Sequence, residues 1–250
     1  MTTENPLVLK TKLLKSIISE TAFAASLQES RPILTGVHMV LSEQKEFKAV
    51  ATDSHRMSQR KLTLENTSAN FNMVIPSKSL REFSAVFTDD IETVEVFFSD
   101  SQVLFRSDYI SFYTRLLEGN YPDTDRLLTN SFETEVTFNT AALRSAMERA
   151  YLISNATQNG TVKLEITSDS ISSHVNSPEV GKVNEELDSI SQSGSDLTIS
   201  FNPTYLIEAL KALKSETVMI RFISPVRPFT LMPGDDTENF VQLITPVRTN

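Results

Sequence analysis

VLKTKLLKSIISETAFAA at residues 8–25 returns at residues 137–154 as TFNTAALRSAMERAYLIS. Stacked, the two stretches set Leu14 over Leu143, Lys15 over Arg144, Ser16 over Ser145 and Ile18 over Met147. A second register follows in each half, where TVEVFF at 93–98 matches TVMIRF at 217–222. Two copies of one supersecondary plan predict two similar domains in tandem.

The chain has 250 residues, enough for two domains of ordinary size, each able to bury a core. At 40% apolar and 22% charged residues the composition is that of an ordered globular protein. There is no cysteine, which excludes disulfides, thiolate metal sites and a catalytic thiol. The start, MTTENPLVLKTK, lacks a basic segment followed by an apolar one, and nowhere do 18 apolar residues run together. A cytoplasmic location is expected. The sequons beginning at Asn66, Asn155 and Asn159 are read as chance.

Apolar residues at helical spacing predict amphipathic helices over 10–26 and 139–154. Shorter ones are expected from Ser77 to Thr88, with Leu80, Phe83 and Phe87 inward, and from Pro203 to Lys214, with Leu206, Leu210 and Leu213 inward. Asn202 is a natural cap for the last of these and Pro203 suits its first turn. Between helices the period is two, as at Phe47, Ala49 and Ala51, at Val94, Val96 and Phe98, and at Val162, Leu164 and Ile166. These read as antiparallel strands, with turns at Asn159-Gly160 and Pro233-Gly234. Each half then runs helix, strands, helix, strands, an α+β plan. The polar stretch Leu127 to Ser131 suggests domains of 1–128 and 129–250.

A net charge of −9 alone argues against nucleic acid. Its distribution argues otherwise. The four predicted helices sum to +5 and leave −14 on the rest of the chain. Helices sharing one side would present a basic lining to a polyanion, while the acidic remainder repels nonspecific contacts; solvated helix faces rich in Lys and Arg are the plainer explanation.

Catalytic motifs are sparse. The three histidines, His38, His55 and His174, are not spaced as metal ligands, and no phosphate-binding glycine loop occurs. Asp53, Ser54 and His55 are triad residue types, but sequence neighbours point apart and seldom form a relay. A small-molecule hydrolase using Asp53 and His55 is the alternative function. No cofactor or metal is expected.

Four segments remain: RPILTGV at 31–37, ATDSHRM at 51–57, GNYPDTDRLL at 119–128, and the terminal LITPVRTN. In order and spacing the chain resembles the bacterial DNA sliding clamp, the beta subunit of DNA polymerase III. The resemblance implies two repeats of the DNA-clamp fold, each with two helices on one side packed against antiparallel sheets. It implies a non-enzymatic processivity factor, whose subunits form head-to-tail ring dimers around duplex DNA. The chain begins where the family's second domain begins, so the first domain is expected to be absent and the fragment monomeric.

The resemblance also implies a peptide-binding pocket for polymerases, the clamp loader and repair proteins. Its lining would be Leu34, Thr52, Ser54, His55, Arg56 and Met57 from the first repeat, and Pro122, Arg126 and Leu127 from the connection. Leu243, Ile244, Thr245, Pro246, Val247 and Arg248 would complete it, flanked by Asn202 and Tyr205. Leu34, Met57, Leu127, Ile244 and Val247 would receive Leu or Phe side chains, Met57 adapting its shape to each. Ser54 and Thr245 replace the glycine and methionine frequent in the family. The DNA-facing set would be Lys12, Lys15, Gln28, Lys78, Arg81, Arg144, Arg149, Lys211 and Lys214, touching phosphates without reading sequence.

Overall fold

A computed structural model describes residues 6–65, 67, 69–129, 131–154, 160–177 and 181–248. The three sequon asparagines, and Asn159 of the Asn159-Gly160 turn, lie outside these residues. The chain divides into two compact units, Met1–Thr124 and Asp125–Asn250.

The first unit runs β1 (Leu7–Lys10), α1 (Thr11–Thr21), β2 (Gly36–Leu41), β3 (Glu46–Thr52), β4 (Arg56–Thr63), β5 (Phe71–Pro76), α2 (Ser77–Val86), β6 (Thr93–Phe98), β7 (Gln102–Arg106) and β8 (Ser111–Arg115). The second runs β9 (Thr134–Asn139), α3 (Thr140–Ser154), β10 (Val162–Ile166), β11 (Ile171–Ser177), β12 (Gly181–Glu186), β13 (Ser189–Gly194), β14 (Leu197–Phe201), α4 (Pro203–Ala212), β15 (Thr217–Phe222), β16 (Phe229–Pro233) and β17 (Phe240–Ile244). Short 3-10 turns at Ala22–Ala24, Pro32–Thr35 and Asp125–Leu127 complete the described elements.

The sequence repeat is a repeat of topology. The order β1-β6-β7-β8 recurs as β9-β15-β16-β17, and β5-β2-β3-β4 recurs as β14-β10-β11-β12, all antiparallel. β13 is an addition, pairing with the other edge of β9. The stacked registers meet in space: Lys10 pairs with Thr93 in one unit and Asn139 with Thr217 in the other. One residue on, the N–H of Thr11 donates to the Glu92 carbonyl (3.0 Å) and that of Thr140 to the Glu216 carbonyl (2.9 Å).

Each helix buries the stripe that its spacing predicts. Leu14, Ile17 and Ile18 on α1, Leu80 and Phe83 on α2, Leu143, Ala146 and Met147 on α3, and Leu206 and Leu210 on α4 enter two separate cores. In the first core Phe83 stacks on Phe87 at 4.4 Å between ring centroids and packs tilted against Phe105 at 4.7 Å. Asn202 caps α4 as expected, its side chain accepting from the Thr204 N–H at 2.9 Å, with Pro203 in the first turn.

Three details depart from the sequence reading. A strand precedes the first helix of each unit, because Leu7 and Leu9 alternate inward where a helix would need them on one face. The helices are shorter than periodicity suggested: α1 starts after Lys10 and ends at Thr21, α2 ends at Val86 and α4 at Ala212. Lys10 and Lys214 therefore fall outside the helices, and the helical excess is +3 rather than +5.

Candidate functional site

The β3–β4 hairpin of the first unit carries the densest polar geometry. Thr52 and Met57 are paired in register across it, and the chain turns through Asp53, Ser54 and His55. Ser54 has φ +80°, a left-handed conformation that costs a side-chain-bearing residue and that glycine adopts freely. The turn is held by Asp53, whose Oδ1 accepts from the backbone N–H of His55 (2.9 Å) and Arg56 (3.0 Å). Its Oδ2 takes the Arg56 Nε at 3.0 Å. Thr52 Oγ1 donates to the Arg56 carbonyl at 2.6 Å and accepts from the Ser54 N–H at 3.1 Å.

Arg56 is expected to offer hydrogen bonds to a ligand, but its guanidinium is committed inward. Besides Asp53 it donates through Nη2 to the Phe23 carbonyl (2.9 Å) and lies over the Phe23 ring at 5.5 Å. Only 12% of its side chain is exposed, and 15% of that of Asp53. The pair braces the turn. A triad role for Asp53 falls with this geometry, since both its oxygens hold the turn.

Leu34 and Pro122 belong to the same unit as the hairpin. Leu34 lies in the Pro32–Thr35 3-10 turn and its carbonyl accepts from the Ser26 N–H (2.8 Å), on the segment that carries Phe23. Tyr121, next to Pro122, accepts the Thr52 N–H on its hydroxyl at 3.1 Å and stacks on His38 at 4.8 Å. Burial pushes the Tyr121 phenol well above its usual range, with the Asp53 charge adding to the shift and the Thr52 N–H opposing it. Leu34 and Met57 are themselves buried, Met57 to 1% exposure.

In the second unit the expected residues cluster at the β14–α4 junction. The N–H of Val247 donates to the Ser200 carbonyl at 2.7 Å, laying Thr245–Arg248 beside Asn202 and the first turn of α4, where Tyr205 is half-buried. Buried Gln242 ties β17 to α4 through the Ala209 carbonyl at 3.0 Å. Leu243 and Ile244 are buried, Ile244 within the second core, whereas Val247 is exposed. Arg126 and Leu127 stand exposed in the Asp125–Leu127 turn.

The basic residues are less free than their sequence suggests. In the first unit Lys15 and Arg81 line one groove of about 350 Å³ between α1 and α2, so both helices present cations on a shared face with exposed Lys12 and Lys78. Lys15 bonds Asp89 at 2.6 Å, holding that carboxyl below its usual range, and Arg81 donates to the Ala22 carbonyl at 2.8 Å. In the second unit Lys211 pairs with Glu148 at 3.3 Å and Arg149 with Glu185, which raises the Arg149 value further. Arg144 keeps a buried Nε without a hydrogen-bond partner among the described residues. Lys214 and Gln28 are exposed, the Gln28 N–H donating to Ser26 Oγ at 3.1 Å. Exposed pairs such as these contribute little and open at small cost when a phosphate competes.

Sequence reasoning missed Phe23 and Tyr121, and named Asp53 only as a triad residue type rather than as the brace of the turn. Asp53 is legible in retrospect as an Asp followed by a left-handed residue, a turn signature. Phe23 and Tyr121 act across 33 and 69 residues of sequence, which no local pattern reveals.

Among the described residues no three His, Asp or Glu converge as metal ligands, and no helix is long and apolar enough to cross a membrane. Residues 8–123 match the family profile described as DNA polymerase III beta subunit, central domain. Residues 125–248 match that of its C-terminal domain. The chain is 72% identical over 245 residues to the beta sliding clamp of Streptococcus pneumoniae, covering 98% of this chain and 65% of that protein. It therefore spans less than two thirds of that relative. The crystal structure of the beta subunit from Streptococcus pyogenes is similar with a TM-score of 0.97 and 83% identity, over 99% of this chain and 67% of the other. The sliding clamp of Bacillus subtilis gives 0.93 at 40% identity, over 100% of this chain and 66% of the other.

Proposed function

Because the chain belongs to the family of bacterial DNA polymerase III beta subunits, we propose that it serves as the peptide-binding and DNA-tracking part of a sliding clamp. The observation that carries this reading is the match of both units, in order, to the family's central and C-terminal domains. The role is non-catalytic and cytoplasmic: the protein tethers a polymerase or repair enzyme to duplex DNA without acting on either. The hydrolase alternative is set aside.

Partners dock through short linear peptides. Thr52, Ser54, His55, Met57, Leu34 and Pro122 are the first unit's share of that recognition, with Arg56 bracing the turn. Arg126, Leu127, Asn202, Tyr205 and Leu243–Arg248 are the second unit's share. The bonded turn at Asp53–Arg56 supports this, because a rigid hairpin presents backbone groups to a peptide at low entropic cost.

The duplex passes the helices, where Lys12, Lys15, Gln28, Lys78, Arg81, Arg144, Arg149, Lys211 and Lys214 meet phosphates. Those cations already paired with carboxylates favour weak, salt-sensitive contact, which lets a ring slide. Ring closure, by head-to-tail pairing of two subunits, belongs to the whole clamp.

The test is NMR shift mapping with a short peptide carrying Gln followed by Leu and Phe. Shifts are expected at Thr52–Met57 and Thr245–Arg248. Shifts confined to other residues, or none at millimolar peptide, would reject this assignment of the site.

A further inference from the structure

β5 lies at the end of the order β5-β2-β3-β4, with β2 on one side. Its other side is covered at one point, where the N–H of Leu117 donates to the Val74 carbonyl at 2.8 Å. That bond fixes which backbone groups face away from β2. By the two-residue period of an antiparallel ladder, Asn72 turns its N–H and carbonyl to the same side. Among the described residues no backbone group meets them. Exposed Asn72 thus offers an unpaired edge of the kind that accepts an added strand.

Two clefts flank this edge. One, about 400 Å³, is lined by His38, Asn72, Asp100, Leu116, Glu118 and Tyr121 among others. The other, about 480 Å³, shares Asn72, Met73, Asp100 and Leu116 with it and extends to Phe98 and Asn70. They form one trough along β5. Its chemistry is one-sided: Asp100 and Glu118 are exposed on it and no Lys or Arg is among its described lining residues. The side chain of Asn72 is already oriented, its Oδ1 2.7 Å from His38 Nε2.

The internal repeat supplies an independent argument. β5 corresponds to β14, and the Leu117–Val74 bond corresponds to the Val247–Ser200 bond. In the second unit the crossing segment continues beside Asn202 and Tyr205; in the first it passes Gly119, which has φ +124°, and runs on to Tyr121, whose hydroxyl accepts the Thr52 N–H. The segment from Leu116 to Tyr121 forms one wall of the trough and β5 the other, so a short extended segment fits between them along the β5 edge.

We propose that the β5 edge is a second docking site, taking an extended peptide by strand addition with an Arg or Lys side chain against Asp100 and Glu118. Main-chain bonds to Asn72 supply affinity and the two carboxylates supply selectivity. The site adjoins the β3–β4 hairpin through Tyr121, which lines the trough and accepts the Thr52 N–H, but it does not depend on the hairpin's proposed role.

The experiment uses the full chain and a fluorescein-labelled peptide, Thr-Val-Thr-Arg-Thr-Val-Thr, at low salt. Anisotropy should show saturable binding, weakened about tenfold or more when Asp100→Lys and Glu118→Lys are combined, since like charge replaces attraction. The peptide with Glu in place of Arg should bind equally weakly to the parent chain. Amide exchange at Asn72 should slow with the Arg peptide, and Val247→Asp should leave the binding unchanged. Absence of binding to the parent chain, binding indifferent to the charge reversal, or unaltered exchange at Asn72 overturns the proposal. Binding lost in Val247→Asp would place the peptide at the other site and overturn it too.

Discussion

Replacing Asp53 probes the turn on which the candidate site is built. Asp53→Ala removes two acceptor contacts to backbone N–H groups and the carboxylate beside Arg56. Both side chains are nearly buried, at 15% and 12% exposure, so the loss is not screened away. Removing one partner of a buried pair costs about 3 kcal/mol, and the two turn bonds add about 1 kcal/mol. The expected total is thus ~4 kcal/mol for the first unit. Asp53→Asn keeps an oxygen for the turn but no charge for Arg56, and should cost about half as much. Combining Asp53→Ala with Arg56→Met removes the stranded cation and should recover about 2 kcal/mol. Urea titration read from first-unit NMR amide intensities gives these values without assuming that both units unfold together. Equal costs for Asp53→Ala and Asp53→Asn, or a cost below about 1 kcal/mol for Asp53→Ala, would refute the pair's bracing role.

Three further outcomes follow from particular contacts. Gly36→Ala would place a Cβ 2.6 Å from Val74 Cγ1 and 2.9 Å from the Ile75 carbonyl, and should lower first-unit stability by about 1–3 kcal/mol in the same titration. Phe83→Ala empties the ring cluster with Phe87 and Phe105 and should cost about 3–5 kcal/mol. The Tyr121 phenol is raised by burial, so the unfolded chain releases its proton first and stability falls as pH climbs above about 10. Absorbance titration should show one of the five tyrosines ionising only on unfolding, a fraction lost in Tyr121→Phe.

The fold was largely legible because its signals are local or repeated. Leu14 over Leu143 and Thr93 over Thr217 are single-chain patterns, and each pair occupies equivalent places in the two units. The leading strands at Leu7–Lys10 and Thr134–Asn139 were hidden because they run directly into α1 and α3, where helical periodicity dominates the window. The site was legible by segment but not by role. ATDSHRM marks the hairpin, yet that Arg56 points inward depends on Phe23, a residue of a different element. The sequence marks Met57 as an adaptable side chain, but its burial to 1% exposure depends on packing that no local pattern reveals. Charge was legible in sign; that Lys15, Arg149 and Lys211 are paired rests on Asp89, Glu185 and Glu148, none of which lies on the same element as its partner.

The buried state of Met57 decides how the central claim is tested, since Met57→Asp would bury a charge and unfold the hairpin. Val247 is 39% exposed, and its side chain can be changed without touching its backbone bond to Ser200. The most direct measurement is therefore a fluorescence-anisotropy titration of a labelled peptide carrying Gln, Leu and Phe against the chain and its Val247→Asp variant, with circular dichroism confirming that the variant is folded. The account predicts saturable binding at roughly micromolar concentration, about tenfold or more weaker in the variant. No binding to the parent chain, or equal affinity for both, would contradict it.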